Sequence, residues 1–163
     1  MGLGYVGLPL ALEACRSGIT VVGVDIDRTV VDGLLSGHSH VDDIDSAAVA
    51  EMLVAGFAPS PGLGHSEKMD VFVICVPTPL DENGTPDLQA VRGATREVAL
   101  SLRPGSLVVL ESTTYPGTTE DTVRPLLEAG SGLTAGVDFN LAYSPERIDP
   151  GNPEWGLRNT PKI

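Results

Sequence analysis

Aromatic side chains make up only 4% of this 163-residue chain, and its 10 lysines and arginines are outnumbered by 22 aspartates and glutamates. The first scarcity argues against an aromatic-rich β-sandwich. The second leaves a formal net charge of −12, and the few cations are scattered rather than gathered in a stripe. Nucleic acid and anionic membrane surfaces are therefore excluded as partners by repulsion. Any bound phosphate has to be held by backbone amides. There are only two cysteines, Cys15 and Cys75, without CxxC spacing, which points to a reducing cytoplasm. No apolar run approaches the roughly 18 residues of a membrane span, and no signal-peptide pattern, repeat or low-complexity tract is present.

What is present is aliphatic and punctuated. Hydrophobic residues form 42% of the chain, with 19 glycines and 13 prolines, enough for one compact domain over residues 1–163 with many tight connections. Val6, Leu8, Ala11, Leu12 and Cys15 recur at helical spacing, predicting a helix from Val6 to Ser17 that stops at Gly18. Thr20 to Val24 reads as a buried parallel strand. Asp27 is placed to cap a helix carrying Val30, Val31, Leu34 and Leu35, and Ser46 to cap another through Ala55. Pro59 to Ser66 reads as an irregular connection. Val71 to Val76 predicts a strand stopped by Pro77, and Asp87 a cap for the helix bearing Leu88, Val91, Thr95, Val98 and Leu102. A strand at Leu107 to Leu110 follows. Thr118 and Asp121 have capping-box spacing before a helix that Pro125 should bend, and a last strand spans Asn140 to Tyr143. Strands alternating with helices predict an α/β fold, a Rossmann-like doubly wound parallel sheet binding its ligand beyond the carboxyl ends of the strands.

Gly2, Gly4 and Gly7 spell G-x-G-x-x-G, and Asp25 follows Gly7 by about 18 residues, near the spacing of a dinucleotide fingerprint. Each glycine has a reason: Gly2 for the tight turn, Gly4 for close approach of backbone to pyrophosphate, Gly7 for packing of helix on strand. Amides at the start of the helix and its positive dipole end then balance the phosphate charge. Asp25 accepts hydrogen bonds from ribose hydroxyls and repels a 2′-phosphate, so NAD is favoured over NADP, a preference that Arg28 weakens. Taken alone, the glycines equally fit a tight strand-to-helix turn, another dehydrogenase or a methyltransferase. Such a fingerprint should also follow a buried strand, whereas Met1 directly precedes Gly2, so the sheet is expected to lack its first strand.

Five ordered blocks narrow the reading: GLGYVGLPL at Gly2 to Leu10, VGVDID at Val22 to Asp27, CVPTPLDENGTPDL at Cys75 to Leu88, ESTTYPGTT at Glu111 to Thr119 and SPERIDPGN at Ser144 to Asn152. Together they resemble the UDP-glucose/GDP-mannose dehydrogenase family, and the last block is most similar to its branch acting on UDP-N-acetylhexosamines. The resemblance implies oxidation of the C6 alcohol of a nucleotide sugar to a carboxylate, reducing two NAD through a cysteine-bound thiohemiacetal and thioester. It implies an NAD domain joined to a long helix and a second, UDP-sugar-binding domain, in a protein that is a homodimer or larger. Gly2, Gly4, Tyr5, Val6, Gly7, Asp25 and Arg28 would then hold NAD, with Thr78 beside the cofactor. Thr113 would lie near the nicotinamide and a catalytic water.

Glu146 matches the family's acidic residue that organises water or contacts substrate, and Arg147 would bind substrate phosphate or pair with Asp149. Pro150 stands where many members carry a second glutamate, so that role does not transfer. The family's catalytic cysteine, lysine and asparagine belong to motifs this sequence does not contain, so these 163 residues are expected to be inactive alone. Cys15 and Cys75 read as packing thiols. His38, His40 and His65 read as solvated side chains rather than metal ligands, and Trp155 as a packing residue. A binding module without turnover, or a truncated remnant, is the alternative from another function class.

Overall fold

The computed structural model describes residues 1–64, 68–145 and 159. Within the single domain expected over residues 1–163, two compact units are distinguished, one built on Met1–Gly62 and the other on Leu63–Glu146.

In the first unit, α1 (Gly7–Arg16) is followed by β1 (Val22–Val24), α2 (Arg28–Leu35), α3 (Ser46–Val54) and β2 (Ala58–Ser60). Leu8, Ala11, Leu12 and Cys15 of α1 are buried with Leu34 of α2, Val49 and Met52 of α3, and Leu3 and Phe57. Each large apolar side chain so buried contributes about 1.5–3 kcal/mol relative to exposure. Helix α1 ends as its sequence suggests: Gly18 takes φ +78° and its N–H donates to Cys15 O (2.9 Å), a left-handed turn that costs a glycine little. Pro9 is tolerated because the first helical turn requires no donor there.

β1 and β2 pair in parallel, Val22 opposite Ala58 and Val24 opposite Ser60. β1 starts at Val22 rather than at the expected Thr20. The bonds from Ala58 N–H to Val21 O (3.0 Å) and from Asp25 N–H to Ser60 O (3.1 Å) turn alternate residues toward β2. Val22 and Val24 therefore address the opposite edge, where Gly2 N–H donates to Val24 O (2.8 Å). Among the described residues no strand precedes α1.

Two local features differ from what the sequence predicts. Asp45, not Ser46, caps α3, accepting Ala48 N–H at 2.7 Å, because its carboxylate stands one residue before the first helical position. Pro59 belongs to a strand rather than an irregular connection. Its neighbours Ala58 and Ser60 make the bonds to β1, so its missing N–H falls on the unpaired side.

The second unit runs β3 (Val71–Ile74), α4 (Gln89–Ser101), β4 (Leu107–Leu110), a π-helical turn (Thr118–Val123), α5 (Arg124–Ser131) and β5 (Asn140–Tyr143). Its sheet is parallel throughout in the order β3-β4-β5. Phe72, Ile74, Val108 and Leu110 alternate along β3 and β4 and are fully or nearly fully buried, as are Val91 and Val98 of α4 and Leu127 of α5. β3 ends at Ile74, two residues short of the expected Val76. The N-cap of α4 is Leu88, without a side-chain cap, rather than the expected Asp87, which stands one residue earlier and accepts Gln89 N–H (2.8 Å). No side-chain cap forms at Thr118. Gly117, in the left-handed region at φ 94°, precedes a π-helical turn, and Pro125 falls in the first turn of α5 instead of bending a longer helix. Parallel strands alternating with helices make this a Rossmann-like α/β fold.

Candidate cofactor site

The glycine loop lies in the first unit. Gly2 has φ 85°, so its turn needs a residue without Cβ. Gly4 is different, because its φ is not among the positive values and an added Cβ would meet nothing within 4 Å. Nothing among the described residues requires a glycine there, and the open space left at an exposed backbone is what the approach of a ligand requires. Gly7 opens α1 and is buried, as close packing demands. No side chain caps this helix and its first turn has no acidic residue, so its amides keep their positive potential for an anion.

Asp25 stands at the carboxyl end of β1. Its Oδ2 accepts Leu3 N–H (2.8 Å) and its Oδ1 accepts Asp27 N–H (2.9 Å). The carboxylate is thereby fixed to the glycine loop and to the start of α2, while each oxygen keeps a lone pair for a ribose hydroxyl. Arg28, at the first position of α2, is exposed and makes no ion pair among the described residues. Tyr5 is about half exposed, and its hydroxyl donates to Asp42 Oδ2 (3.3 Å). The adjacent Asp42 carboxylate raises the phenol above its usual range, with desolvation, that hydrogen bond and Asp43 acting in the same direction. Val6 is the N-cap of α1 and half-buried. These arrangements fit a dinucleotide: a cradle of free amides, a position where a Cβ would stand in the ligand's way, and a fixed acceptor beside it.

His40 is an exposed loop histidine, as expected, but it also makes a long-range contact. Its Nε2 lies 2.9 Å from Leu3 O, across 37 residues of sequence. No sequence signal announces this contact, because a lone histidine between Ser39 and Val41 belongs to no motif. His38 is exposed, and His65 lies outside the described residues. Among the described residues no group of three or more His, Cys, Asp or Glu could hold a metal ion.

In the second unit, Thr78 and Thr113 occupy the loops that leave β3 and β4. The Thr78 hydroxyl donates to the Thr113 carbonyl, and Ser112 Oγ donates to Val76 O (2.7 Å), so the two loops are tied together. Glu111, at the end of β4, is buried and accepts Ser144 Oγ (3.3 Å), linking β4 to the start of the S-P-E block. Glu111 carries no sequence signal beyond its place at the head of the ESTTYPGTT block. Glu146, Arg147, Asp149, Pro150 and Trp155 lie outside the described residues. Cys15 is buried in the first unit's core and burial pushes its thiol up, away from the reactive thiolate, while Cys75 is half-buried. No helix among the described residues is long and apolar enough to cross a membrane.

The sequence model described as the UDP-glucose/GDP-mannose dehydrogenase family, NAD binding domain, matches residues 1–163. A UDP-N-acetyl-D-glucosamine 6-dehydrogenase of Pseudomonas aeruginosa is 40% identical over 163 residues, covering 100% of this chain and 38% of that protein. A UDP-N-acetyl-D-mannosamine dehydrogenase of Pyrococcus horikoshii is 41% identical over 153 residues, 93% of this chain and 36% of that protein. Among solved structures, the UDP-D-ManNAc dehydrogenase of Pyrococcus horikoshii superposes with a TM-score of 0.85 at 42% identity, over 92% of this chain and 36% of that one. A ternary complex of GDP-mannose dehydrogenase from Pseudomonas aeruginosa gives 0.79 at 32% identity, over 91% and 36%. The chain thus spans little more than a third of the length of these relatives.

Proposed function

The chain belongs to the UDP-glucose/GDP-mannose dehydrogenase family, matching its NAD binding domain, and from that premise we propose that it supplies the NAD site of an oxidoreductase that converts the C6 alcohol of a nucleotide sugar, a UDP-N-acetylhexosamine, to a uronate in two NAD-dependent steps. The observation that carries the reading is the uncapped start of α1 behind Gly2, Leu3 and Gly4, with Asp25 pinned to Leu3 N–H at its side. The Gly4, Tyr5 and Val6 amides and the amino end of α1 neutralise the pyrophosphate without a lysine. Asp25 grips the adenosine ribose and rejects a 2′-phosphate, while Arg28 at α2 tempers that rejection. NAD, when bound, accepts hydride from the sugar's C6.

Thr78 and Thr113 are assigned to the nicotinamide end. Their loops are tied by the Thr78 hydroxyl, which leaves the Thr113 hydroxyl to orient water. Glu146 is assigned to water or substrate and Arg147 to substrate phosphate. The cysteine chemistry of the family is not assigned to Cys15, whose buried thiol is held protonated, nor to Cys75. We therefore expect these residues alone to bind cofactor without turnover, in the cytoplasm, with homodimerisation and UDP-sugar binding belonging to the rest of such an enzyme.

The test is a fluorescence titration of the chain with NADH and NADPH. Saturable NADH binding with NADPH weaker by about tenfold or more supports the assignment of Asp25. No binding of either at millimolar cofactor sinks the proposal.

A further inference from the structure

Leu3, the residue between the first two glycines of the loop, is held from three directions. Its side chain is 2% exposed and belongs to the first unit's core. Its N–H is taken by Asp25 Oδ2 (2.8 Å) and its carbonyl by His40 Nε2 (2.9 Å). A peptide carbonyl can only accept, so Nε2 is the nitrogen that carries hydrogen.

The consequence follows from peptide planarity. Leu3 C=O and Gly4 N–H belong to one rigid trans unit, so a donor that fixes the carbonyl also fixes the direction of the Gly4 N–H. Accepting a hydrogen bond at the oxygen further polarises that N–H as a donor. The flanking peptides are pinned as well, Gly2–Leu3 by Asp25 and Gly4–Tyr5 through Leu8 N–H donating to Gly4 O (3.1 Å). Without His40, the Leu3–Gly4 peptide would lose the hydrogen bond that fixes its plane, next to a glycine whose φ turns easily.

His40 is exposed, and it is the segment carrying it that is anchored. Val41 and Ile44, 2% and 5% exposed, share the core with Leu3. Ser39 Oγ accepts Val41 N–H (3.1 Å), Asp45 caps α3, and the Tyr5 hydroxyl ties Asp42 to the other flank of the loop. We propose that His40 is a positioning residue for the dinucleotide, aiming the Gly4 N–H at the pyrophosphate through the Leu3 carbonyl. This rests on the NAD assignment above.

The test compares the chain with His40→Ala and His40→Gln by NADH titration, thermal melting and residue-resolved amide exchange without cofactor. His40→Ala should weaken NADH binding by roughly 5- to 20-fold, the loss of about one hydrogen bond to a loop that carries charge. It should speed exchange at Leu3 and Leu8, whose N–H groups are hydrogen-bonded within the loop, while leaving the amides of α3 protected. His40→Gln restores an N–H donor and should recover most of the affinity, which keeps the test open if the alanine variant folds poorly. Unchanged affinity in His40→Ala, or no recovery in His40→Gln, overturns the positioning role while the NAD assignment stands. A parent chain that binds no NADH overturns the assignment, and this role with it.

Discussion

Replacing Gly4 by alanine separates what the loop needs for folding from what it needs for binding. Beyond its chain neighbours an added Cβ meets no atom of the described residues within 4 Å, and the backbone there is not in the left-handed region. The variant should therefore fold as well as the parent, or be more stable by about 0.4–1 kcal/mol through a less flexible unfolded chain. Binding should respond oppositely. Phosphate oxygens hydrogen-bonded to amides sit about 2.7–2.9 Å from nitrogen, whereas a methyl keeps other heavy atoms at about 3.5–4.0 Å. The anion must retreat by about 1 Å and forfeit at least one charge-assisted hydrogen bond, worth about 1.5–3 kcal/mol. The dissociation constant for NADH should rise roughly 10- to 150-fold. Thermal melting and NADH fluorescence on the same samples measure both arms. Affinity within twofold of the parent would show that the loop does not cradle the diphosphate, and a lowered melting temperature would show that Gly4 serves the fold.

Gly23→Ala should behave in the reverse order. Its Cβ would fall 2.6 Å from Phe57 Cε2 and 2.8 Å from Leu3 Cδ2, and both side chains are almost fully buried, so overpacking should cost about 1–3 kcal/mol. A urea midpoint equal to the parent's would show that this core yields freely. Asp42→Asn should bring the Tyr5 phenol down toward its usual range, since the Asp42 carboxylate is the largest cause of its elevation. Because the folded phenol is raised, its contribution to stability is complete below the ordinary tyrosine range and fades as pH rises through the elevated value. An ultraviolet titration of tyrosinate absorbance that is identical in the two proteins would refute the pairing.

Much of this protein is legible in its order of residues. β4 and β5 have the bounds that their β-branched and aliphatic runs predict, and α1 and α2 stop and start where Gly18 and Asp27 place them. The G-x-G-x-x-G spacing with Asp25 brought the loop and its acidic neighbour to attention together, and the fold sets them 2.8 Å apart. Such features depend on hydrogen bonds and side-chain periodicity that operate within a few residues, so composition and spacing carry them. Pro59 in a strand, the tie between Thr78 and Thr113, and the grip of His40 on Leu3 were decided only by tertiary structure. Pro59 depends on which edge of β2 meets β1. The two contacts join residues 35 and 37 positions apart, a separation at which no local periodicity survives and only the packed return of the chain chooses a partner.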